Sequence, residues 1–250
     1  MDYLQLLVDL HLDGKRQGPG STIATKLAVE LAMLNKNKSI KIADIGCGTG
    51  ASTLDLAQLL NAEITAVDLF DDFLKVLMKN AEKLGIADKI TPLACSMDKL
   101  PFKSDEFDMI WSEGAAYNIG FENAITQWRN YLKPKGILAV SEITWLTNKR
   151  PSEIQDYWVN AYPEIDTATE KMKILESKGF STIGYFVLPE YCWIDNYYQP
   201  LEKRLDSFLK RHPNNEEVKA IIESEKEEIA LYKANKSYYS YGFYIAKKCD

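Results

Sequence analysis

Three glycines at alternate positions, Gly46, Gly48 and Gly50, follow the apolar, β-favouring residues Ile40, Ile42, Ala43 and Ile45. An apolar-periodic segment begins directly after them with Ala51, Leu54, Ala57, Leu59 and Leu60. Strand, glycine turn and helix in that order bring a ligand against bare backbone at a helix N-terminus. Glycine takes positive φ there and carries no Cβ to block the approach. Two carboxylates accompany the turn: Asp44 stands two residues before the first glycine, and Asp68 ends a second apolar strand over 63–67. A carboxylate at the tip of a second strand can accept hydrogen bonds from both hydroxyls of a ribose. These residues together predict a site for a nucleoside-bearing ligand. The spacing is G-x-G-x-G, whereas the dinucleotide fingerprint is G-x-G-x-x-G.

The run Asp44-Ile45-Gly46-Cys47-Gly48-Thr49-Gly50 resembles motif I of the class I S-adenosylmethionine (SAM) dependent methyltransferases, and Val67-Asp68 resembles their ribose-binding second motif. Leu100-Pro101-Phe102 with Phe107-Asp108-Met109-Ile110 resembles the family's third and fourth strand region. The stretch from Tyr131 to Leu138, YLKPKGIL, resembles its entry into the fifth strand. The four motifs stand in the family's order and cover about 40–142. The resemblance implies a cofactor, SAM, leaving as S-adenosylhomocysteine, and methyl transfer by in-line displacement. The sulfonium carries the activation, so the protein aligns an acceptor and manages any proton.

The resemblance also assigns provisional roles. Asp68 holds the ribose with Leu69 beside it, the turn with Gly46, Cys47, Gly48 and Gly50 receives the methionine half, and Asp44 orients the amino group. Ser96 stands where the family often has an acid that meets the adenine amino group, and Met97 either covers the adenine or is core. The segment Arg16-Gln17-Gly18-Pro19-Gly20-Ser21 is similar to one in a subgroup of small-molecule methyltransferases. It is either a connecting turn or a cofactor lid, in which Arg16 and Gln17 reach the methionine carboxylate and Gly18 permits close approach. Ligands of doubly wound sheets sit at the carboxyl ends of strands. Glu113, beyond the fourth strand, therefore reads as a cofactor contact, a proton acceptor and the catalytic candidate, or a carboxylate paired with a nearby base. Tyr117 and Asn118 shape a substrate pocket or cap the next helix. Trp145 forms a substrate wall or belongs to the core. Trp193 and Tyr197 lie in an aromatic strip, 191–198, suited either to an organic substrate or to a seam between lid and sheet.

The elements that must carry these residues alternate strand and helix over most of the 250 residues. The expected fold is α/β: a Rossmann-like seven-stranded class I methyltransferase sheet, mostly parallel, with an antiparallel last strand over 238–246 and helices on both faces. A single domain is expected over 1–250, with an N-terminal helical cap or lid over 1–38, its polar linker at 35–39, and a helical insertion over 199–236. A fourth strand over 107–111, a fifth over 136–140 and a sixth over 182–188 complete the sheet. The charge-rich run 223–228 reads as a solvated face.

Composition limits the partners. A net charge of −6 argues against a general nucleic-acid binder. No base-flipping Asn-Pro-Pro-Tyr loop follows the fourth strand, where Ser112-Glu113-Gly114-Ala115 stands instead. A small-molecule substrate is expected, with a homodimer admitted. Four scattered cysteines, no basic leader and no apolar run near 20 residues predict a cytoplasmic protein with no membrane span. Two histidines, His11 and His212, make a metal site improbable. The rival readings are a non-catalytic SAM-binding protein and an NAD(P)-linked oxidoreductase. The latter lacks a usable Tyr-x-x-x-Lys, because Pro134 interrupts Tyr131 and Lys135.

Overall fold

The computed structural model describes residues 2–35 and 38–250. Lys36 and Asn37, within the expected linker, and Met1 lie outside the described residues. The elements in chain order are α1 (Tyr3–His11), α2 (Thr22–Leu31), β1 (Ile40–Ile45), α3 (Ala51–Leu59), β2 (Ala62–Asp68), α4 (Asp71–Leu84), β3 (Ile90–Ala94), β4 (Phe107–Glu113), α5 (Phe121–Arg129) and β5 (Leu132–Trp145). There follow α6 (Ser152–Ala161), β6 (Asp166–Thr167), α7 (Ala168–Ser177), β7 (Phe180–Val187), α8 (Glu190–Trp193), α9 (Gln199–Arg211), α10 (Glu216–Asn235) and β8 (Tyr239–Lys248).

The main sheet runs β3-β2-β1-β4-β5-β8-β7. The β1–β2, β1–β4, β2–β3 and β4–β5 pairs are parallel, while β8 is antiparallel to both β5 and β7. This is the α/β architecture expected from the resemblance. Strand order reverses between β1 and β4, and the turn after β1 lies at that switch point, where doubly wound sheets bind ligands.

Side-chain alternation decides which helices cover which face. Ile42, Met109, Trp111 and Phe243 face α2, α3 and α4, whose Ala28, Leu56 and Leu77 complete that core. Ala43, Ile110 and Tyr244 face α5 and α7, where Phe121, Trp128 and Leu175 are buried. Ser21 opens α2 by accepting from the Ala24 amide at 3.0 Å, which is the expected hydroxyl cap.

Three boundaries differ from the sequence reading. β5 extends from Leu132 to Trp145, well past the expected 136–140, because β8 pairs with it from Ile137 to Trp145 and supplies the bonds a lone strand would lack. The aromatic strip is helical: α8 passes through a π turn (Ile194–Tyr198) directly into α9, so the helical insertion starts at Glu190 rather than Gln199. A two-residue strand, β6, adds to the expected seven by pairing with β5 at Thr144 and Trp145.

Candidate active site

One cavity of about 710 Å³ opens at the carboxyl ends of β1, β2 and β4. Its floor is the glycine turn. The amides of Gly46 and Cys47 both donate to the Val67 carbonyl at 2.9 Å, tying the turn to the end of β2. Gly46 has φ +76°, and a Cβ there would collide with the Ala115 methyl. Gly48 has φ +55°, and a Cβ there would collide with the Gln17 carboxamide. Both positions require glycine for conformation, and Gly46, packed on the Ala115 methyl, for space as well. Gly50 is the N-cap of α3 and does not line the cavity.

Asp68 meets the floor from β2. Its Oδ2 accepts from the Gly48 amide at 2.8 Å and its Oδ1 from the Phe70 amide at 3.0 Å. Each carboxylate oxygen keeps a further lone pair for a ligand hydroxyl. Burial raises the Asp68 pKa, and the amides of Phe70 and Gly48 oppose that rise. Leu69, Ser96 and Met97 line the same end of the cavity. The Ser96 hydroxyl is engaged by the Asp98 carboxylate.

Asp44 lies behind the turn, fully buried and outside the cavity lining. Its Oδ2 accepts from Ser52 Oγ at 2.9 Å and Thr53 Oγ1 at 2.6 Å, which fastens the start of α3 to β1. Burial pushes its pKa up to about 7, against the Thr53 and Ser52 hydrogen bonds that lower it.

The segment after α1 folds over the floor. Gln17 Oε1 accepts from the Thr49 amide at 2.9 Å, and its Nε2 donates to Thr49 Oγ1 at 2.9 Å and to the Gly14 carbonyl at 3.0 Å. The Gln17 carboxamide therefore clamps the glycine turn. Arg16 Nη1 donates to Glu113 Oε2 at 2.8 Å, and its Nη2 lies 3.5 Å from Asp55 Oδ2. Glu113 Oε1 accepts from Thr25 Oγ1 at 2.9 Å and Trp111 Nε1 at 3.1 Å. Three donors thus hold this carboxylate, the paired alternative in the sequence reading. Arg16, Gln17, Gly18, Cys47 and Glu113 all line the cavity.

The far end is roofed by α1 and α10. Tyr117, Asn118 and Tyr197 line it, as do Leu7, Val8 and His11 of α1 and Glu225 and Glu228 of α10. Trp145 and Trp193 do not. Trp145 sits inside the extended β5, its ring capped by the Arg150 guanidinium at 3.9 Å. Trp193 stacks on Tyr232 at 4.4 Å and donates to Ser240 Oγ at 2.9 Å, wedging α10 against β8. Both are core, for the same reason: strand and helix continue past the points where loops were expected.

The sequence reading omitted the α1 and α10 contributors. A signal for the latter exists. Val218, Ile221, Ile222, Ile229 and Tyr232 form the buried stripe of α10, and Glu225 and Glu228 fall on it at three- and four-residue spacing. They therefore belong to the inward face and not to the solvated one.

Comparison with known proteins identifies residues 42–136 with a family model described as a methyltransferase domain. An uncharacterised methyltransferase of Bacillus subtilis, YodH, is 27% identical over 75% of this chain and 78% of its own length. The sterol 24-C-methyltransferase ERG6B of Gibberella zeae is 29% identical over 43% of this chain, and the match spans only 28% of that enzyme. Among solved structures, a SAM-dependent methyltransferase from Geobacter sulfurreducens, bound to S-adenosylhomocysteine, superposes with TM-score 0.84 over 97% of each chain at 17% identity. Among the described residues no helix is long and apolar enough to cross a membrane, and no group of His, Cys, Asp and Glu is arranged to hold a metal.

Proposed function

We propose that this chain is a class I SAM-dependent methyltransferase that transfers the methyl group of SAM to a small-molecule acceptor by in-line displacement, a reading supported by the methyltransferase-domain match over 42–136, by YodH and by the shared fold. The observation that carries this reading is the continuity of one cavity from the glycine turn and Asp68 to a chamber roofed by α1 and α10. A roofed chamber of this size suits a metabolite-sized acceptor and disfavours a duplex or a folded protein.

The residues present fit the cofactor. Asp68 offers free lone pairs beside a Cβ-free turn, and Met97 supplies a soft apolar wall next to Ser96. Bound SAM supplies an activated methyl on a sulfonium. The chain then binds and aligns: Asp68 takes the ribose hydroxyls, the backbone at 46–48 receives the methionine half, and Arg16, held by Glu113, closes the near wall. Asp44 acts from behind as a positioning residue for α3. Glu113, with three donors already on it, is read as the anchor of Arg16 rather than as a proton acceptor. Burial, together with Asp44 and Asp68, raises the Cys47 thiol well above its ordinary range, so it stays protonated. A direct displacement needs no enzyme nucleophile, which agrees with this.

The test is calorimetric titration with SAM, S-adenosylhomocysteine and NADH on wild type and Asp68→Ala. This is followed by incubation of a metabolite extract with methyl-labelled SAM. Binding of both SAM species at least about 100-fold tighter in wild type than in the variant, with label appearing in a small product, is expected. Binding of NADH alone, or label confined to nucleic acid or protein, would overturn the reading.

A further inference from the structure

The roof of the chamber carries two carboxylates that have no lysine or arginine partner among the described residues. Glu225 and Glu228 sit on the inward stripe of α10 and both line the cavity. Buried carboxylates are costly unless paired. Glu228 Oε1 accepts from the Tyr198 hydroxyl at 2.9 Å, a neutral donor. Glu225 Oε1 lies 3.8 Å from His11 Nε2, beyond hydrogen-bond reach, and its buried Oε2 has no partner. Among the described residues no lysine or arginine is within ion-pair distance of either acid. Arg204 on α9 acts on Glu225 only at longer range and donates to the Leu10 carbonyl. Burial and then the neighbouring Glu225 push the Glu228 pKa up, against the Tyr198 hydrogen bond and the His11 ring, which lower it.

A second observation points the same way from another element. Tyr197 is only 8% exposed and lines the chamber, yet its hydroxyl has no hydrogen bond among the described residues. Its ring lies 6.3 Å from the His11 ring, nearly parallel to it. Tyr117 adds a second phenol wall. Two carboxylates beside aromatic faces form a complementary setting for an organic ammonium, through charge and through the ring quadrupoles. A carboxylate ligand would face repulsion there, and a neutral one would leave the acids unpaired.

We propose that the acceptor is a small molecule carrying a protonated amine, seated against Glu225 and Glu228 with Tyr117 and Tyr197 as its aromatic wall. This rests on the methyltransferase reading and names the substrate class of the same cavity. The test begins with titration of S-adenosylhomocysteine into wild type, Glu225→Gln and Glu228→Gln. The loaded proteins are then titrated with matched probes on one skeleton, tyramine, tyrosol and 4-hydroxyphenylacetate, and with the set hexylamine, hexanol and hexanoate.

At least one amine is expected to bind about tenfold or more tighter than its alcohol and carboxylate counterparts. Each glutamine variant should weaken that amine by about tenfold with S-adenosylhomocysteine affinity retained. The inference is overturned by three results on protein that does bind S-adenosylhomocysteine: tighter binding of an alcohol or carboxylate, amine binding indifferent to both glutamines, or no amine binding. Failure of wild type to bind S-adenosylhomocysteine would overturn the methyltransferase reading and this inference with it.

Discussion

The two ends of the cavity are built in different ways. The proposed cofactor end comes mainly from the loops that follow β1, β2 and β3, and its key atoms are backbone amides and one carboxylate. The proposed acceptor end joins α1, the loop after β4 and α10, elements up to about 220 residues apart, and its key atoms are side chains. The first end stores conformational cost in positive-φ glycines, while the second leaves two carboxylates without a lysine or arginine and the Tyr197 hydroxyl without a hydrogen bond, among the described residues. Chemistry shared by many enzymes fits in a short, local motif. Selection of one acceptor is assembled over long range and can change without disturbing the turn.

The largest expected effect breaks the local end. Gly46→Val places a branched Cβ against the Ala115 methyl at a backbone φ of +76°. Strain of this kind costs on the order of 1–3 kcal/mol, and more with the steric overlap. Calorimetry should find no SAM binding, and the urea midpoint should fall. A variant with wild-type affinity would show that the turn is not the cofactor floor.

Next in size is the strap between the two ends. Arg16 and Glu113 side chains are about nine-tenths buried and joined at 2.8 Å. Arg16→Ala leaves that carboxylate with two neutral donors in place of a cation, a loss on the order of 3 kcal/mol. Glu113→Gln introduced into Arg16→Ala should recover part of it, because the unpaired charge is gone. A double-mutant cycle in urea measures the coupling. Additive effects would mean that the strap is incidental and that the two ends are mechanically separate.

Much of this was legible in the sequence, and the exceptions have physical reasons. The turn, Asp68, Ser96-Met97 and the sheet are specified by contiguous residues with strong period and turn chemistry. Glu225 and Glu228 read as solvated because the run 223–228 is charge-rich, although their spacing from Ile221 and Ile222 puts them on the buried stripe. Trp145 reads equally as substrate wall or core in the sequence because strand length depends on the partner: β8 lies almost 100 residues further on and extends β5 past the expected exit. Trp193 is open between a substrate surface and a seam in the sequence because an aromatic strip carries no helical signal of its own. Its helix is fixed by packing on Tyr232 and Ser240.

A smaller effect, visible in pH dependence, sharpens the contrast at the cofactor end. Asp44 has an ordinary pKa of 3.8 that burial pushes up to about 7 in the folded chain. Between those values the folded state binds the extra proton, so stability falls as pH rises through the window, by at most about 1.4 kcal/mol per pH unit. Asp44→Asn removes this term and keeps an acceptor for Thr53. The variant should lose less stability than wild type between pH 4.5 and 7 in urea titrations. The slope should not vanish, because burial likewise pushes Glu142 up to about 7 against the nearby Lys171. Equal slopes in the two proteins would show that Asp44 is ionised throughout.

The smallest effect belongs to the roof. Asp9 on α1 accepts from Arg211 Nε at 3.1 Å and meets His212 Nε2 at 2.8 Å, which ties α1 to the end of α9. Burial raises the Asp9 pKa, but His212 and Arg211 outweigh it, so the carboxyl titrates below its ordinary value. Its contribution is therefore complete above the ordinary carboxylate range and is lost as pH falls through the lowered value. With a quarter of the Asp9 side chain exposed, Asp9→Asn should cost at most about 1 kcal/mol globally. Amide exchange should nonetheless quicken in Tyr3–His11 while the amides of Gly46, Cys47 and Gly48 stay protected, because local opening of a docked helix need not unfold the sheet. Faster exchange at both places would join roof and floor in one cooperative unit. That outcome would remove the separation between a fixed cofactor end and an adjustable acceptor end.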